Sequence, residues 1–243
     1  SIHSFPTRRS SDLDKLGGNI IPGGVPDFKE DDRALVQWYY NELKQNNVDI
    51  HFNTTVTEEL ISKLNCDVII IATGSKPRIL KLDGDMDKVY TAQDVLLNTK
   101  EPGNSTVIIG GGLVGCETAL WLIKQGKKVT IIEALDDILA SGPAICHANS
   151  QMLKDLLKFH KVDIRTNSLV SKVTNEGIII KENNNEVSIP CDSVILAVGY
   201  TSEKDLYEKL KFNNKEMYLL GDARQVQNIM TAIWDAFEVA RNI

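Results

Sequence analysis

The stretch that decides the fold is Val107–Ala119, VIIGGGLVGCETA, in which Gly110, Gly112 and Gly115 have the spacing G-x-G-x-x-G. An apolar run precedes these glycines and a helical pattern follows them, so the loop connects a strand to a helix. In such a loop the first glycine permits a tight turn, the second lets the backbone approach a diphosphate, and the third lets the helix pack on the sheet. The free amides at the helix start attract the phosphates. The stretch therefore predicts a dinucleotide-binding loop.

The next predicted strand, KVTIIE at 128–133, ends in Glu133, which lies 23 positions after Gly110. A carboxylate at this place accepts a hydrogen bond from the adenosine 2′-hydroxyl and repels a 2′-phosphate, which favours NADH over NADPH. Glu117 follows the third glycine within the helix. It either shapes the nicotinamide side of the site or is a charge on the helix surface.

The pattern of apolar residues predicts an α/β chain with many short elements. Helices are expected at 31–46, 57–64, 94–97, 113–125, 151–159 and 228–241. Strands are expected at 48–52, 67–72, 106–109, 128–133, 163–165, 193–198 and 217–220, with an antiparallel hairpin or meander over 169–189. Glycines and prolines make 14–28 an irregular segment. The strand at 67–72 is continuously apolar, which predicts burial on both faces.

Two segments resemble each other: CDVIIIATG at 66–74 and CDSVILAVG at 191–199 each place a buried strand before a glycine, Gly74 or Gly199. This repetition indicates two similar nucleotide-binding domains. Gly221-Asp222 also follows a strand, and Asn228 is suited to cap the next helix. Asp222 could accept a bond from a ribityl chain, with the helix start directed at a flavin. The alternative is an aspartate in an ordinary turn.

The composition excludes several classes of function. The net charge is −6 with no dense Lys/Arg block, which argues against nucleic acid as a partner. No apolar run reaches the roughly 18 residues of a membrane span, and no secretory signal is present. The four cysteines are scattered without a C-x-x-C pair, so we expect reduced cytoplasmic thiols and no metal site in this chain. No nucleophile motif occurs, and no catalytic residue is assigned.

Four stretches together resemble a known family: KLGGNIIPGGVPDFKEDDRALVQWYYNELK, VIIIATGSKPRI, VIIGGGLVGCETALWL and LLGDARQVQNIMTAIWDAFEVARNI. They are similar to the C-terminal part of NADH:flavin oxidoreductases of the 2-enoate reductase and 2,4-dienoyl-CoA reductase type, which have the two-dinucleotide-binding-domain fold of pyridine nucleotide-disulfide oxidoreductases. The resemblance implies two Rossmann-like domains. An NADH domain at 105–199 is inserted within an incomplete FAD domain at 14–104 and 200–243. Residues 1–13 contain SFPTRRSSDL, which resembles a translated sequencing adapter, and are expected to be a non-native leader.

The resemblance also assigns cofactor-binding residues. Gly110, Gly112, Gly115 and Glu133 would hold NADH, with Glu117 nearby. FAD would contact Gly17, Gly18, Ala72, Thr73, Gly74, Gly221 and Asp222, with the backbone around Val56 at its adenine. Gly199 and Asn228 complete the set of candidates.

The implied activity is hydride transfer from NADH to FAD. Electrons would then pass to a TIM-barrel part, outside this chain, which carries FMN and a four-iron four-sulfur cluster and reduces an activated C=C bond. The chain alone would perform at most the first half, and we expect it to bind FAD weakly. The intact protein could form a homo-oligomer, and neither nucleic acid nor a membrane is an expected partner. Two alternatives remain: an NADH oxidase or disulfide reductase without a barrel, and a non-catalytic NAD-binding redox sensor.

Overall fold

The computed structural model describes residues 8–10, 14–64, 66–143, 145–183, 185–212 and 216–243. The chain divides into two compact units. The first contains the described residues up to Gly24 together with Lys29–Lys76 and Ser202–Ile243, and the second contains Val25–Phe28 and Pro77–Thr201. The second unit is thus mostly one insertion into the first. The predicted α/β class with an inserted domain is confirmed.

The first unit contains short strands and five of the helices. Its strands are β1 (Arg8–Ser10), β2 (Asp49–His51), β3 (Val68–Ile71) and β15 (Glu216–Leu219). Its helices are α1 (Ile20–Gly23), α2 (Glu30–Gln45), α3 (Glu58–Lys63), α7 (Asp205–Leu210) and α8 (Ile229–Ala240). Strand β1 pairs in parallel with β2, and β3 pairs in parallel with β15. A small core of Ile61, Ile71 and Leu210 holds this unit together.

The second unit is built on a parallel sheet. Its strands are β5 (Asp83–Gly84), β6 (Val89–Thr91), β7 (Ser105–Ile109), β8 (Lys128–Ile132), β9 (Asp163–Arg165), β10 (Ser168–Thr174), β11 (Gly177–Glu182), β12 (Asn185–Pro190) and β13 (Ser193–Leu196). Its helices are α4 (Ala92–Leu96), α5 (Leu113–Lys124) and α6 (His147–Phe159). The parallel sheet has the order β6-β13-β7-β8-β9, and a mainly antiparallel sheet has the order β12-β11-β10-β5.

Two cores cover the two faces of the parallel sheet. On one face Ile108, Ile131 and Ile195 pack against α5 and α6. On the other face Val107, Ile132 and Val194 pack against the antiparallel sheet. Strands β7, β8 and β13 are therefore buried on both sides, as continuous apolar runs in parallel sheets require. Their carboxyl ends form the edge at which the glycine loop lies.

The strands β4 (Ser75–Pro77) and β14 (Tyr200–Ser202) form a separate two-stranded sheet. Residues 77–104, which the sequence groups with the FAD part, belong to the second unit by their contacts, because β6 extends the parallel sheet through β13. Which cofactor each unit binds stays a prediction.

Most predicted elements are present with small shifts at their ends. The βαβ unit over 105–132, the helix at 58–63, the three antiparallel strands over 168–190 and the Asn228 cap of α8 are confirmed. The irregular segment at 14–28 is partly wrong, since it contains α1. Burial of 67–72 on both faces is also wrong: Ile70 is 46% exposed, because β3 has only β15 as a neighbour among the described strands.

Two predicted segments lie partly outside the described residues. Of the predicted leader at 1–13, only the backbone of Arg8–Ser10 is described, and the remainder lies outside the described residues. Within the predicted hairpin or meander over 169–189, Asn184 also lies outside them. Across the parts of the chain that are described, no helix is long and apolar enough to cross a membrane.

Candidate functional site

The glycine loop in the second unit is shaped by close backbone contacts. Gly110 has a φ of +106°, and a Cβ on it would lie 2.4 Å from the Ala197 carbonyl oxygen. A Cβ on Gly115 would lie 1.9 Å from the Gly110 carbonyl oxygen, so α5 packs directly against the turn. At Gly112 a Cβ would meet nothing within 4 Å. Side chains are thus excluded at both ends of the loop, while its middle is open to a ligand.

Helix α5 starts directly behind this open position, with Gly112 as its N-cap. The first amides of a helix have no partner within the helix, and the helix dipole places partial positive charge there. The opening over Gly112 therefore faces a group of N–H donors suited to a diphosphate. No acidic side chain occupies the first turn of α5 to compete with such an anion.

Glu133 follows the end of β8 and is 8% exposed. Its Oε2 accepts a hydrogen bond from the Gly111 amide at 2.6 Å, and its Oε1 accepts one from the Leu135 amide at 2.8 Å. Two backbone amides thereby fix the carboxylate beside the glycine loop. Each carboxylate oxygen still has a lone pair available for a hydroxyl donor. This is the arrangement expected of a ribose-binding acid.

The loop after β8 is acidic. Asp136 and Asp137 are exposed, and Lys154 of α6 is 2.5 Å from Asp137. The hydrogen bond from Lys154 lowers the pKa of Asp137 below its usual value. No described cation other than Lys154 is paired with this loop's carboxylates. The negative charge around Glu133 disfavours a phosphate group on the 2′-oxygen of an adenosine ribose bound there.

Cys116 and Glu117 lie in the first part of α5. Cys116 is fully buried, and its thiol donates to the Gly111 carbonyl at 3.3 Å. Burial raises the pKa of Cys116 to about 12, with further contributions from the negative charges of Glu133 and Glu117. Glu117 itself is half-buried, and both interpretations of its role remain open.

Gly199, the second glycine of the repeated segments, lies after β13 in the second unit. It has a φ of +90°, and its carbonyl accepts a hydrogen bond from the Arg78 amide at 3.0 Å. The corresponding Gly74 has a φ of +78° in the first unit. The repetition in the sequence thus corresponds to the same left-handed turn after a parallel strand in each unit.

Asp222 lies at the centre of a polar group in the first unit. Its Oδ2 accepts a hydrogen bond from the Ser75 hydroxyl at 2.8 Å, and its Oδ1 accepts one from the Gln227 amide at 3.0 Å. The Asn19 side chain donates to both the carbonyl and the hydroxyl of Ser75, at 3.0 and 3.1 Å. Asp222, the 74–75 turn and the glycine segment near Gly18 are thereby brought together.

The other predicted residues of the first unit surround this group or lie further away. The Thr73 hydroxyl donates a hydrogen bond to the Glu203 carbonyl, and the Glu203 amide donates one to the Gly74 carbonyl. The Glu203 carboxylate also forms an ion pair with Lys76. A Cβ on Gly18 would meet nothing within 4 Å. Gly17, by contrast, packs against Ile21 and Val36. Ala72 is exposed, and Val56 packs partly against the core of this unit.

The start of α8 is held by a reciprocal cap. The Asn228 side chain accepts from the Thr231 amide at 3.0 Å, and the Thr231 hydroxyl accepts from the Asn228 amide at 3.2 Å. The amide of Gly221 donates to Asp235, which also pairs with Arg224. The turn at Gly221 and the helix that follows are therefore fixed to each other.

Sequence reasoning did not single out several residues that organise these sites. Gly111, Ser75 and Glu203 each contact a predicted site residue, and Asn19 contacts Ser75, but none of the four was among the candidates. Gly111, Ser75 and Asn19 adjoin predicted residues in sequence, which is the signal that could have identified them. No local pattern identifies Glu203. Among the described residues, no group of His, Cys, Asp and Glu is arranged to hold a metal ion.

Comparison with known proteins gives a consistent result. The family model described as pyridine nucleotide-disulphide oxidoreductase matches residues 58–241. A cinnamate reductase of Clostridium sporogenes is 54% identical over 94% of this chain and 34% of its own length. An NADH oxidase of Thermoanaerobacter brockii is 31% identical over 94% of this chain and 36% of its own. The chain thus spans about a third of the length of these curated relatives.

A solved complex of 2-naphthoyl-CoA reductase with 2-naphthoyl-CoA has the same fold as this chain. The TM-score is 0.92 at 24% identity, over 100% of this chain and 37% of that one. At this identity the likeness concerns the fold alone. It agrees with the two-unit α/β architecture described above.

Proposed function

Because this chain belongs to the pyridine nucleotide-disulphide oxidoreductase family, we propose that it is the nucleotide-binding part of a flavin-dependent reductase in which a hydride passes from NADH to FAD. The observation that carries the proposal is the fixed carboxylate of Glu133 beside the open glycine loop. The protein's task in such a reaction is mostly to bind and orient the two cofactors.

The second unit is the proposed NADH site, and its residues fit the ligand. The diphosphate would lie over Gly112, at the start of α5, where the backbone is open. The adenosine ribose would donate its 2′-hydroxyl to Glu133, and the acidic loop after β8 would exclude NADPH. Gly110 and Gly115 shape the turn rather than contact the ligand through side chains.

The first unit is proposed to bind FAD through residues that fit part of the cofactor. Asp222, held by Ser75, is placed to accept a hydroxyl group, and Gly18 and Gly74 provide backbone without side chains nearby. The chain has one G-x-G-x-x-G loop, and it lies in the other unit. A second diphosphate loop is therefore not supplied by these residues, and we expect the chain alone to bind FAD weakly.

The remainder of the flavin domain is proposed to cover an apolar surface of the first unit. Helix α8 exposes an apolar row at helical spacing, consisting of Met230, Ile233, Trp234 and Phe237. Ile70 of β3 is exposed as well. Such surfaces are costly in water and mark interaction sites. The relatives are about three times longer than this chain, which leaves ample sequence to provide the cover.

For the intact protein we propose reduction of an activated C=C bond in an enoate. The support is the 54% identity to a cinnamate reductase. The residues for that step would lie in a TIM-barrel part with FMN and a four-iron four-sulfur cluster, beyond this chain. A cytoplasmic location is part of the proposal, because the four cysteines are scattered along the chain without a C-x-x-C pair.

A second candidate is an NADH oxidase, which the 31% identity to such an enzyme favours. The two are separated with the intact protein under anaerobic conditions. A reductase oxidises NADH in proportion to added cinnamate. Beyond the amount of NADH that reduces its own flavin, an oxidase consumes NADH only after oxygen is admitted. Binding of NADH without any flavin reduction would contradict both candidates and support a non-catalytic sensor.

A further inference from the structure

The backbone of Gly111 connects three elements of the second unit. Its N–H donates to Glu133 at 2.6 Å, while its carbonyl accepts from the Leu139 amide at 2.8 Å and from the Cys116 thiol at 3.3 Å. The glycine loop, the loop after β8 and helix α5 thus meet at Gly111, whose N–H and C=O belong to the successive peptide groups on either side of its Cα. A change in the backbone torsions of Gly111 would move its N–H relative to Glu133.

The Cα of Gly111 is closely surrounded, with no space for a side chain. A Cβ on Gly111 would lie 2.7 Å from Ile138 Cγ2 and 3.1 Å from Glu133 Oε2. Two hydrogen-bond donors hold the Gly111 carbonyl. One is a backbone amide in the loop after β8, and the other is the thiol of Cys116, which comes from the helix.

Cys116 is suited to act as a permanent donor. It is fully buried within the core beneath α5. Burial, and then the nearby carboxylates Glu133 and Glu117, raise its pKa to about 12, so the sulfur keeps its proton at neutral pH. A buried thiol of this kind is unreactive. Its hydrogen bond to Gly111 is the polar contact that distinguishes it from an apolar side chain of the same size.

We propose that Cys116 is a positioning residue for NADH recognition: its thiol holds the Gly111 carbonyl and so restrains the backbone torsions of Gly111, which keeps the Gly111 amide directed at the Glu133 carboxylate beside the adenosine ribose. The inference rests on the proposed NADH function of this unit. Cys116 does not contact the ligand itself. It acts through Gly111 and Glu133, and its effect depends on the hydrogen bond that Glu133 accepts from the ribose hydroxyl.

The test measures NADH binding by calorimetric titration of chains in which Cys116 is replaced by a residue that has, or lacks, a hydrogen-bond donor. Cys116→Ser keeps a donor, whereas Cys116→Ala and Cys116→Val remove it and differ in volume. We expect the Ala and Val variants to bind NADH about three- to tenfold more weakly, the range for loss of one hydrogen bond. Cys116→Ser should bind within about twofold of the unaltered chain. If Ala leaves a cavity that prevents folding, Val alone provides the comparison.

Two controls separate positioning from packing. The adenosine 2′-deoxy analogue of NADH lacks the hydroxyl that Glu133 would receive, so the Val variant should bind this analogue as well as the unaltered chain does. In a Glu133→Gln background, the Val substitution should cause no further loss, as a double-mutant cycle of coupled residues requires. The inference would be overturned if the Val substitution weakened the binding of NADH and of the 2′-deoxy analogue equally. It would also be overturned if the Val substitution weakened NADH binding as much in the Glu133→Gln background as in the unaltered chain.

The outcomes also distinguish this inference from the proposed function. If the unaltered chain binds NADH and all Cys116 variants bind it equally well, the positioning role fails and the NADH site stands. If the unaltered chain does not bind NADH, the proposed function fails and the inference fails with it.

Discussion

Gly115 lies so close to Gly110 that a Cβ on Gly115 would be 1.9 Å from the Gly110 carbonyl oxygen. The start of α5 and the turn before it therefore form one rigid piece. Gly112, two positions beyond Gly110, has open space around it and an extended conformation with a φ of −71°. Within one motif, Gly115 is thus needed for close packing, whereas Gly112 is needed for access of a ligand.

This contrast predicts different results for two alanine variants. Gly115→Ala should lower the free energy of unfolding by about 1–3 kcal/mol, because the methyl group collides with backbone. Gly112→Ala should leave stability unchanged, since its conformation suits alanine, but should weaken NADH binding by obstructing the diphosphate. Chemical denaturation and NADH titration of both variants provide the measurement. A stable Gly115→Ala chain, or undiminished NADH binding by Gly112→Ala, would contradict this account of the loop.

Glu133 is predicted to set the preference for NADH. Glu133→Gln should weaken NADH binding about tenfold, the effect of losing a charged acceptor, and should reduce discrimination against NADPH. Asp136→Asn is the matched control, because Asp136 is an exposed carboxylate three residues away. Dissociation constants for both nucleotides are measured for each variant. A comparable change in Asp136→Asn would show that general negative charge, rather than the fixed carboxylate, sets the preference.

Ser75 is predicted to position Asp222 for FAD. In the intact protein, Ser75→Ala removes the 2.8 Å hydrogen bond and should weaken FAD binding about three- to tenfold. Ser62→Ala serves as the control, since Ser62 is an exposed serine of the same unit that bonds only locally, to Glu59. Flavin content after dialysis reports the result. Full flavin retention by Ser75→Ala would argue that Asp222 belongs to an ordinary turn.

The thiols are predicted to differ in reactivity. Cys146 is exposed and should react with iodoacetamide at pH 8, whereas Cys116 should react only after unfolding. With its pKa raised to about 12, Cys116 would be ionised at that pH in about one molecule in ten thousand. The same pKa shift affects stability. Because the folded state favours the neutral thiol, the contribution of Cys116 to the free energy of unfolding is complete below pH about 9 and is lost as pH rises toward about 12.

Mass spectrometry of peptides after timed alkylation measures this order of reactivity. Equal labelling of Cys116 and Cys146 in the folded chain would contradict the buried position of Cys116. Denaturation between pH 8 and 11 tests the second part. Cys116→Ser should lose less stability over this range, because a serine hydroxyl does not ionise there.

The sequence predicted the βαβ unit well because its signals are local. The glycines of 110–115, the apolar runs of β7 and β8 and the terminal Glu133 all lie within one short segment. The burial of β3 was predicted wrongly for the opposite reason. An apolar run records the preference of Ile70, but its exposure depends on which other elements cover it.

The polar connections of the site depend on distant residues and were not predictable. Ser75 and Asp222 are 147 positions apart, and Gly111 and Glu133 are 22 apart. Their residue types suit many roles, and only the fold shows that they are hydrogen-bonded. The pairing of β4 with β14 was missed for the same reason, since three-residue strands carry no periodicity to recognise.

The central claim, that a hydride passes from NADH to FAD through this nucleotide-binding part, is tested most directly by anaerobic stopped-flow mixing of the intact, FAD-loaded protein with NADH. The account predicts rapid loss of the oxidised-flavin absorbance, slowed when NADH carries deuterium at the transferred position. At low NADH the rate should fall about tenfold in Glu133→Gln, in line with its weaker binding. Tight NADH binding with no flavin reduction would contradict the account.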